Sequence, residues 1–254
     1  MTPKQRITHI TRWIKSYATR HRIKTLVVGV SGGIDSAVVS TLCARTGLPT
    51  VAVSMPIRQS KLTHSLSLAH GEWLTKNFDN ASHITQDLTP IFRQFEKSFP
   101  FGSPLAFANS RSRLRMMCLY QIAQDHEGIV VGTGNRVEDF GVGFFTKYGD
   151  GGVDISPIGD CMKSEVWAMG RELDILPEII DAAPTDGLWD DGRTDEDQLG
   201  MSYVDLEIAM HIDEGRTQCN DAGFRKNLMR YREIRARNLH KMQPIPVCKM
   251  PVDR

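Results

Sequence analysis

Residues 25–39 of the chain read TLVVGVSGGIDSAVV. The first part is a short apolar, β-branched run that predicts a buried strand, and the last part begins an apolar helix. Ser31, Gly32 and Gly33 form the turn between them, which leaves the free amides of the helix N-terminus at the end of the strand. Such amides attract anions, and glycines let the backbone approach phosphate oxygens closely. The stretch therefore predicts a phosphate-binding loop.

Asp35 distinguishes this loop from an ordinary glycine turn. Its carboxylate would repel a phosphate unless a divalent cation lay between them, so it argues for Mg²⁺ bound together with a nucleotide. No lysine occupies the place that a Walker loop requires, and Ser31 stands where the dinucleotide fingerprint needs its second glycine after Gly29. A plain strand–helix turn explains the glycines but does not explain Asp35.

Short β-rich runs alternate with longer helical patterns along the chain. We predict strands at residues 25–30, 50–55, 82–85 and 128–133. We predict helices between and after them at residues 36–45, 61–77, 104–126, 163–173, 201–213 and 222–239. The longest of these helices has an apolar or small stripe at Leu105, Ala108, Ser112, Met116, Leu119 and Ala123. Right-handed crossovers then give an α/β fold, a doubly wound parallel sheet flanked by helices.

The segments without a strand or helix pattern differ in composition. Residues 132–159 hold too many glycines for a helix interior, so we predict a loop at the carboxyl edge of the sheet, where ligands bind. The acidic segment 182–200 fits either a solvated loop or a lid over a site. The tail 242–254 is predicted to be irregular, and residues 1–254 are predicted to form a single domain.

Composition limits the class of protein. The 254 residues include 31 basic and 30 acidic side chains, for a formal net charge of +1, and 41% are hydrophobic. These values are typical of a globular protein, and no stretch reaches the ~20 apolar residues of a membrane span. The near-zero charge gives no reason to expect nucleic-acid binding. The five cysteines are widely separated, which favours a reducing compartment and predicts a cytoplasmic protein.

The N-terminal segment has two interpretations. It carries several basic residues and no acidic residue before Asp35, as an organelle transit peptide would. Its apolar residues also follow helical spacing, at Ile7, Ile10, Trp13, Ile14 and Tyr17. Because this pattern runs directly into the first strand, we favour a first helix that packs on the domain.

The phosphate loop resembles that of the N-type ATP pyrophosphatases, which carry serine, glycine, glycine, any residue, aspartate and serine after the first strand. This resemblance implies that ATP is cleaved between its α and β phosphates, with AMP transferred to a substrate oxygen. Further motifs, taken together, are similar to the ammonia-dependent NAD⁺ synthetase family. They are Asn109-x-x-Ser-Arg113-x-Arg115-Met, Gly132-Thr133-Gly-Asn-x-x-Glu138, Gly143-Phe-Phe-Thr146-Lys147-Tyr-Gly-Asp150-Gly-Gly-Val-Asp154, Pro184-Thr185, Asp195-Glu196-x-x-Leu-Gly-x-x-Tyr203 and His240-Lys241.

The resemblance implies an adenine nucleotide alpha hydrolase-like fold and a homodimer whose substrate sites are completed across the interface. It implies conversion of nicotinic acid adenine dinucleotide (deamido-NAD), ATP and ammonia to NAD⁺, AMP and pyrophosphate through an adenylated carboxylate. The implied ATP-binding residues are Gly29, Val30, Ser31, Gly32, Gly33, Ile34, Asp35, Ser36, Arg58, Thr133, Lys163 and Thr185. The implied contacts to deamido-NAD are Arg113, Lys147, Asp154, His240 and Lys241, and the implied Mg²⁺ ligands are Asp35 and Glu138.

Asp35, Lys163 and Asp154 are the predicted catalytic residues. Lys163 can neutralise the charge that builds on the α-phosphate and on the leaving pyrophosphate. We hypothesise that Asp154 holds the incoming ammonium or accepts a proton from it, as a positioned carboxylate can.

The match departs from the usual family pattern in three places. One extra residue separates Glu138 from Gly143, which leaves Asp139 as an alternative magnesium ligand. Ser112 stands where alanine is usual, a change between small residues that puts little in doubt. The arginine expected beside the second strand is ambiguous, and Arg58 is the nearest candidate.

Two other functions stay open at this stage. Another enzyme with this loop would adenylate a different substrate, and one acting on tRNA should have a basic, aromatic face or an added domain. Neither feature is evident. A non-catalytic ATP-binding sensor could keep the fold without turnover, although it would not need Asp35, Glu138 and Lys163 together. Because the phosphate loop starts at Ser31, we expect no fused glutamine-using domain, and free ammonia or a partner would supply the nitrogen.

Overall fold

The computed structural model of the chain describes residues 1–58, 61–185, 187, 193–218 and 224–250. Its strands are β1 Thr25–Gly29, β2 Thr50–Ser54, β3 Ala81–Thr85 and β4 Gly128–Val130. They form a central parallel four-stranded sheet in the order β3-β2-β1-β4. They match the four predicted strands, and the predicted doubly wound α/β fold is confirmed.

Helices cover both faces of the sheet. They are α1 Pro3–Arg20, α2 Ile34–Ala44, α3 Lys61–Asn77, α4 Thr89–Lys97, α5 Pro104–Asp125, α6 Lys163–Glu172, α7 Pro177–Ile180, α8 Asp195–Leu199, α9 Tyr203–Asp213 and α10 Arg225–Met242. The six predicted helices correspond to α2, α3, α5, α6, α9 and α10. The start of the last predicted helix, at residues 222–223, lies outside the described residues.

The chain changes direction within the sheet next to β1. Leu26 of β1 pairs with Thr50 of β2 on one side and with Ile129 of β4 on the other. The chain first runs outward from β1 through β2 to β3, and it then crosses back to form β4 beside β1. Such a switch point, at the carboxyl ends of the strands, is where open α/β sheets bind ligands.

Alternate residues of β1 face opposite layers of helices. Leu26 and Val28 pack in one cluster with α1, α2 and α6, whereas Val27 packs in another with α4 and α5. All three side chains are fully buried. A parallel strand that is covered on both faces reads as a continuous apolar run, which explains the composition of β1.

The first helix is part of the core. Ile7, Ile10 and Ile14 are buried among residues of α2 and α6, and Arg6 forms an ion pair with Glu165 of α6. This packing supports the helix interpretation over the transit peptide. Trp13, which was expected to be part of the apolar stripe, is instead 42% exposed, because it lies at the edge of the buried face.

Two other expectations were wrong in detail. Leu105 is 60% exposed because it lies in the first turn of α5, whereas the rest of the stripe, from Ala108 to Ala123, is buried. The glycine-rich stretch is not loop throughout, since it contains a π-helix, Arg136–Val142. Asn135 caps the start of this π-helix, and Gly143 ends it with a φ of +66°.

The remaining segments are described only in part. Residues 243–250 have no regular structure, as predicted for the tail, and residues 251–254 lie outside the described part of the chain. Within 182–200, Asp186, Asp190 and Asp191 also lie outside it, so the choice between a loop and a lid stays a prediction. Among the described residues, no helix has the length and apolar character needed to cross a membrane.

Candidate active site

The phosphate loop joins the carboxyl end of β1 to the N-terminus of α2. Gly33 is the extended N-cap residue of α2, and Gly32 has a φ of +92°, which favours glycine. A Cβ atom on Gly32 would lie 2.6 Å from the Thr63 carbonyl oxygen of α3, so the loop needs glycine in order to pack on that helix. The first amides of α2 have no partner within their own helix, which makes this end a suitable anion site.

The two serines of the loop bond within it. Ser36 Oγ donates to the Gly33 carbonyl at 2.9 Å and accepts from the Ser31 amide at 3.2 Å. Ser31 Oγ in turn accepts from the Gly33 amide at 3.2 Å. These bonds hold the shape of the loop, and the predicted contacts of both serines to ATP stay predictions.

Asp35, Glu138 and Lys163 meet beside the loop, and we call these three residues the charged centre. Lys163 Nζ donates to Asp35 Oδ2 at 2.5 Å and to Glu138 Oε1 at 2.9 Å. The Lys163 side chain is 2% exposed, and those of Asp35 and Glu138 are 17% and 15% exposed. Two carboxylates and one ammonium leave a formal charge of −1 in a site that is largely closed to water. Such a site attracts a further cation.

The environment moves the pKa of each member of the charged centre. Burial, together with the nearby Glu138, raises the pKa of Asp35 above its ordinary 3.8 against the opposing effect of Lys163. Burial also acts to raise the pKa of Glu138, but Lys163 and the Tyr203 hydroxyl outweigh it and keep that pKa below 4.5. Burial acts to lower the pKa of Lys163, but the two carboxylates outweigh it and raise it above 10.5. Lys163 is therefore a cation at neutral pH.

Asn135 fixes the orientation of Asp35, a role that the sequence analysis did not assign. Its side chain is fully buried, and its Oδ1 accepts from the Val137 and Glu138 amides at 3.0 and 3.1 Å. Because the oxygen caps the π-helix, the amino group points the other way and donates to Asp35 Oδ1 at 3.1 Å. The Gly-Asn-x-x-Glu138 motif was the only available signal of this residue.

Tyr203, at the start of α9, also touches the charged centre. Its hydroxyl lies 2.5 Å from Glu138 Oε1 and 3.2 Å from Asp195 Oδ2. The centre of its ring lies 4.9 Å from Lys163 Nζ. The motif that joins Asp195 to Tyr203 was recognised from the sequence, but nothing in its spacing predicts a contact with Glu138.

The π-helix places the two alternative magnesium ligands, Glu138 and Asp139, in different surroundings. Glu138 carries the carboxylate that pairs with Lys163, whereas the Asp139 carboxylate lies against Gly134, where a Cβ atom would come within 1.8 Å of it. Burial and the neighbouring carboxylates of Asp150, Glu138 and Asp35 raise the pKa of Asp139 well above its ordinary value. The extra residue before Gly143 falls inside the π-helix, whose wider turns accommodate one residue more than an α-helix.

Four of the predicted substrate residues lie in or around one segment, residues 145–148. Arg113 Nε of α5 donates to the Lys147 carbonyl at 3.2 Å. Lys147 Nζ lies 3.5 Å from the His240 carbonyl oxygen of α10, and Lys241 Nζ donates to the Phe145 carbonyl at 2.8 Å. Burial lowers the pKa of Lys241 below its ordinary value. The structure thus brings Arg113, Lys147, His240 and Lys241 together, on α5, α10 and the segment between them.

Asp154 lies at a different place, beside the end of β4. Its Oδ2 accepts from the Val130 amide at 2.8 Å, and its Oδ1 accepts from the Tyr120 hydroxyl at 3.2 Å. Burial and the Asp154 carboxylate raise the pKa of Tyr120 to about 12. Tyr120 and Arg113 both line an open groove of about 460 Å³, together with Met116, Met117, Tyr148 and Gly152. Asp154 therefore adjoins this groove through Tyr120.

Three further residues predicted to contact ATP lie outside the phosphate loop and the charged centre. Arg58, at a φ of +51°, forms an ion pair with Glu96 at 2.5 Å, and its side chain is 41% exposed. The Thr185 hydroxyl donates to the Arg193 carbonyl at 3.2 Å. Thr133 is half-buried at the end of β4. Their contacts to ATP stay predictions.

Ser112 makes hydrogen bonds that the alanine usual at this position could not make. Its hydroxyl donates to Asp150 Oδ1 at 2.6 Å and accepts from the Asp150 amide at 2.9 Å. The same Asp150 oxygen accepts from the Thr146 amide at 3.0 Å. Ser112 therefore ties the turn that carries Lys147 to α5.

A phosphate loop at a sheet switch point, with a buried lysine between two carboxylates, defines a nucleotide-binding α/β protein equipped to handle phosphate charge. The match to the family model for NAD synthase runs over residues 6–244 and identifies which such protein this is. The chain belongs to the NAD synthase family.

Similar proteins align over nearly their full lengths. The NH₃-dependent NAD⁺ synthetase of Carboxydothermus hydrogenoformans is 35% identical over 228 residues, which cover 87% of this chain and 90% of that protein. The one from Methanosarcina acetivorans is 35% identical over 246 residues, 94% and 95% of the two chains. The solved structure of NMN synthetase from Francisella tularensis has a TM-score of 0.87 and 33% identity, covering 98% of this chain and 100% of that chain. The resemblance and the fold inferred from the sequence are confirmed.

Proposed function

We propose that this chain is an ATP-dependent ligase that amidates deamido-NAD with ammonia to give NAD⁺, AMP and pyrophosphate. Membership of the NAD synthase family supports the overall reaction. The observation that carries the chemistry is the position of Lys163, a buried cation 2.5 Å from Asp35 in the first turn after the phosphate loop. That position suits a reaction in which negative charge develops on phosphate.

The phosphate loop and the charged centre have different roles in the binding and cleavage of ATP. The amides at the N-terminus of α2 bind the triphosphate, since they are the donors that its own helix leaves unused. Lys163 neutralises the charge that grows as the bond between the α and β phosphates breaks. Its fixed position means that the protein does not reorganise at that moment, which lowers the barrier to forming the adenylate.

We further propose that Asp35 and Glu138 hold Mg²⁺ with the bound ATP. The donor set fits, because Mg²⁺ in nucleotide sites is bound by one or two carboxylates, and substrate phosphates and water complete its shell. When bound, the ion would supply additional charge neutralisation for the phosphates.

The groove beside α5 is the proposed site of the dinucleotide. Arg113, Lys147 and Lys241 supply positive charge for its phosphates. Asp154 is proposed to hold ammonium or to accept its proton beside the activated carboxylate. If so, Asp154→Asn should still form the adenylate but should slow its reaction with ammonia. Loss of adenylate formation in the variant, with normal amination of a preformed adenylate, would refute this role.

A product assay tests the proposed reaction directly. The purified chain is incubated with deamido-NAD, Mg²⁺, ATP labelled in its adenine and either ammonium or glutamine. We expect AMP, pyrophosphate and NAD⁺ in equal amounts, with ammonium but not with glutamine as the nitrogen source. Recovery of ADP, or binding of ATP without any pyrophosphate release, would contradict the proposal, and the second result would favour the ATP-binding sensor.

A second candidate substrate is nicotinic acid mononucleotide. The structural match to the Francisella tularensis NMN synthetase favours it, because that match covers 98% of this chain at 33% identity. The two acids share the carboxylate that is amidated and differ in the adenylate half, so both would use the same charged centre. The ratio of kcat/KM for the two acids, measured under identical conditions, decides between them.

We also propose that the chain works in the cytoplasm as a homodimer. Several large apolar side chains on α4, α5 and the turn between them are exposed, among them Phe99, Phe101, Leu105 and Met117. Where such side chains form one contiguous patch, they mark an interaction surface. Sedimentation velocity should give a dimer of this 28.5 kDa chain, and Phe101→Asp with Met117→Asp should convert it to a monomer.

A further inference from the structure

Tyr203 contacts the charged centre in two ways, through its hydroxyl to Glu138 and through its ring to Lys163. We propose that Tyr203 is a positioning residue that holds Glu138 in the orientation needed for metal-dependent binding of ATP. The inference rests on the proposed function, because it assumes that Glu138 is a magnesium ligand.

The hydrogen bonds of Glu138 carry the first step. Its Oε1 accepts from the Tyr203 hydroxyl at 2.5 Å and from Lys163 Nζ at 2.9 Å. Two donors that point to the same oxygen position fix the plane of the carboxylate, because turning that plane away would lengthen both hydrogen bonds. Donors around a ligating carboxylate set its orientation and its charge, and removing one typically costs about 10- to 100-fold in metal affinity or activity.

The position of the tyrosine itself is fixed by packing. The side chain is 2% exposed and lies in a cluster with Leu206 and Met162, and its ring meets Trp167 edge-on with centroids 5.7 Å apart. The ring face lies 4.9 Å from Lys163 Nζ, a cation–π distance. Tyr203 thus contacts both the cation and one of the carboxylates, and it has no space to leave either.

The hydroxyl of Tyr203 also lies close to Asp195, whose backbone bonds the segment next to Thr185. Asp195 Oδ2 lies 3.2 Å from this hydroxyl, and because a hydroxyl has one proton, the shorter contact to Glu138 takes it. The Asp195 amide donates to the Pro184 carbonyl at 3.0 Å, next to Thr185, a predicted ATP contact. Tyr203 therefore lies between the proposed magnesium ligand and the base of a proposed nucleotide-binding segment.

Binding measurements on Tyr203→Phe test the inference without turnover. The probe is α,β-methylene-ATP, which has no cleavable bond between the α and β phosphates, titrated by calorimetry with Mn²⁺ present or with EDTA. We expect about a 10- to 100-fold loss of affinity with Mn²⁺ and less than a twofold change with EDTA. The matched control is Tyr231→Phe, which removes the hydroxyl of an equally buried tyrosine of the same cluster and should change neither value.

Three outcomes would overturn the inference. They are unchanged affinity with Mn²⁺, an equal loss with and without the metal, and an additive loss when Tyr203→Phe is combined with Glu138→Gln. If Tyr203 acts through Glu138, Tyr203→Phe should have less than a twofold effect in a chain that already carries Glu138→Gln. In turnover, the KM for deamido-NAD should stay within twofold while the half-saturating Mg²⁺ concentration rises.

The inference remains testable if Tyr203→Phe does not fold. Glu138→Asp keeps the charge but withdraws the carboxylate from the tyrosine, so it should produce the same selective loss of Mn²⁺-dependent affinity. No loss in that variant would also overturn the inference. A chain that binds the analogue as expected but makes no NAD⁺ would instead contradict the proposed function.

Discussion

Two buried polar networks lie on opposite sides of the phosphate loop, and they differ in charge. The charged centre lies on the side of the π-helix and α6, where Lys163 bonds two carboxylates. On the side of α3, Ser67 Oγ donates to the Val30 carbonyl of the loop at 2.8 Å. This second side has two uncharged hydrogen-bonded groups, Ser40 with His70 and Ser54 with Ser67 and His83, and we call them together the neutral network.

Proton positions in the neutral network follow from its acceptors. Ser67 uses its proton on the Val30 carbonyl, so the Ser54 hydroxyl, 2.5 Å away, must donate to Ser67. Ser54 Oγ then accepts from His83 Nε2 at 2.8 Å. The three side chains thus donate in one direction, towards the backbone of the phosphate loop.

The difference shows that burial alone does not decide what a polar group needs. The charged centre depends on charge balance, so the removal of Lys163 leaves two buried carboxylates without a cation, and the removal of either carboxylate changes the net charge of the site. The neutral network depends on the direction of its donors, so the removal of a member leaves one hydrogen bond unmade. We therefore expect substitutions on the charged side to affect both chemistry and stability, and those on the neutral side to affect mainly stability and loop position.

The largest effect is expected for Lys163→Met, which keeps the length of the side chain and removes its charge. Asp35 and Glu138 are then left facing each other in a site with little water, and breaking a buried pair in this way costs about 3–5 kcal/mol of stability. Catalysis also loses a fixed cation at the phosphates, which corresponds to about 10²–10³-fold in kcat. Chemical denaturation and pyrophosphate release measure the two effects.

The matched control is Lys24→Met. Lys24 pairs with Glu127 at 2.8 Å, but the two side chains are 65% and 68% exposed. A pair of this kind contributes about 0–1 kcal/mol, so the control should change neither stability nor turnover by much. If the two variants behaved alike, the buried position of Lys163 would have no special importance.

The sequence predicted the charged side far better than the neutral side. The phosphate loop could be predicted because strand, turn and helix start are contiguous in one short stretch. Asp35 and Lys163 are 128 residues apart, so their contact could not follow from spacing, and only the family resemblance linked them. Tyr203 and Asn135 were part of recognised motifs, but their roles depend on which oxygen each one faces.

The neutral network had no signal in the sequence. Serine and histidine occur equally well on exposed helix faces, and nothing in the pattern of α3 marks Ser67 or His70 as buried. The need for glycine at position 71 could not be predicted either. A Cβ atom there would lie 2.3 Å from the His83 ring, a contact between α3 and β3 that only the fold creates. Tertiary packing, rather than local pattern, determines these residues.

The next largest effect is a dependence of folding stability on pH, which arises from His70 of the neutral network. His70 is fully buried, its Nε2 lies 2.8 Å from Ser40 Oγ, and its Nδ1 has no hydrogen-bond partner in the described part of the chain. The Ser40 proton is already used on carbonyls of α2, so His70 Nε2 carries the proton and Nδ1 is bare. Burial, with a smaller effect of His83, lowers the pKa of His70 from 6.5 to about 4.

The sign of this effect follows from proton binding. Between pH 6.5 and about 4 the unfolded chain binds a proton at this position and the folded chain does not, so His70 destabilises the fold progressively as the pH falls through this window. Over the whole window the loss amounts to roughly 3 kcal/mol. His70→Gln, which keeps an amide donor near Ser40 and cannot titrate, should lose less stability over this range. Equal slopes in urea unfolding at several pH values would contradict the assignment.

The smallest effect is expected for Ser67→Ala on the neutral side. The substitution removes the donor to the Val30 carbonyl and leaves the buried Ser54 hydroxyl without its acceptor, which costs about 1–3 kcal/mol. Because Val30 belongs to the phosphate loop, the KM for ATP should rise several-fold while kcat changes little. Thr75→Ala is the matched control on α3, since the Thr75 hydroxyl bonds carbonyls of its own helix. A fall in kcat as large as that of Lys163→Met would mean that the neutral network contributes to the chemical step as much as the charged centre does.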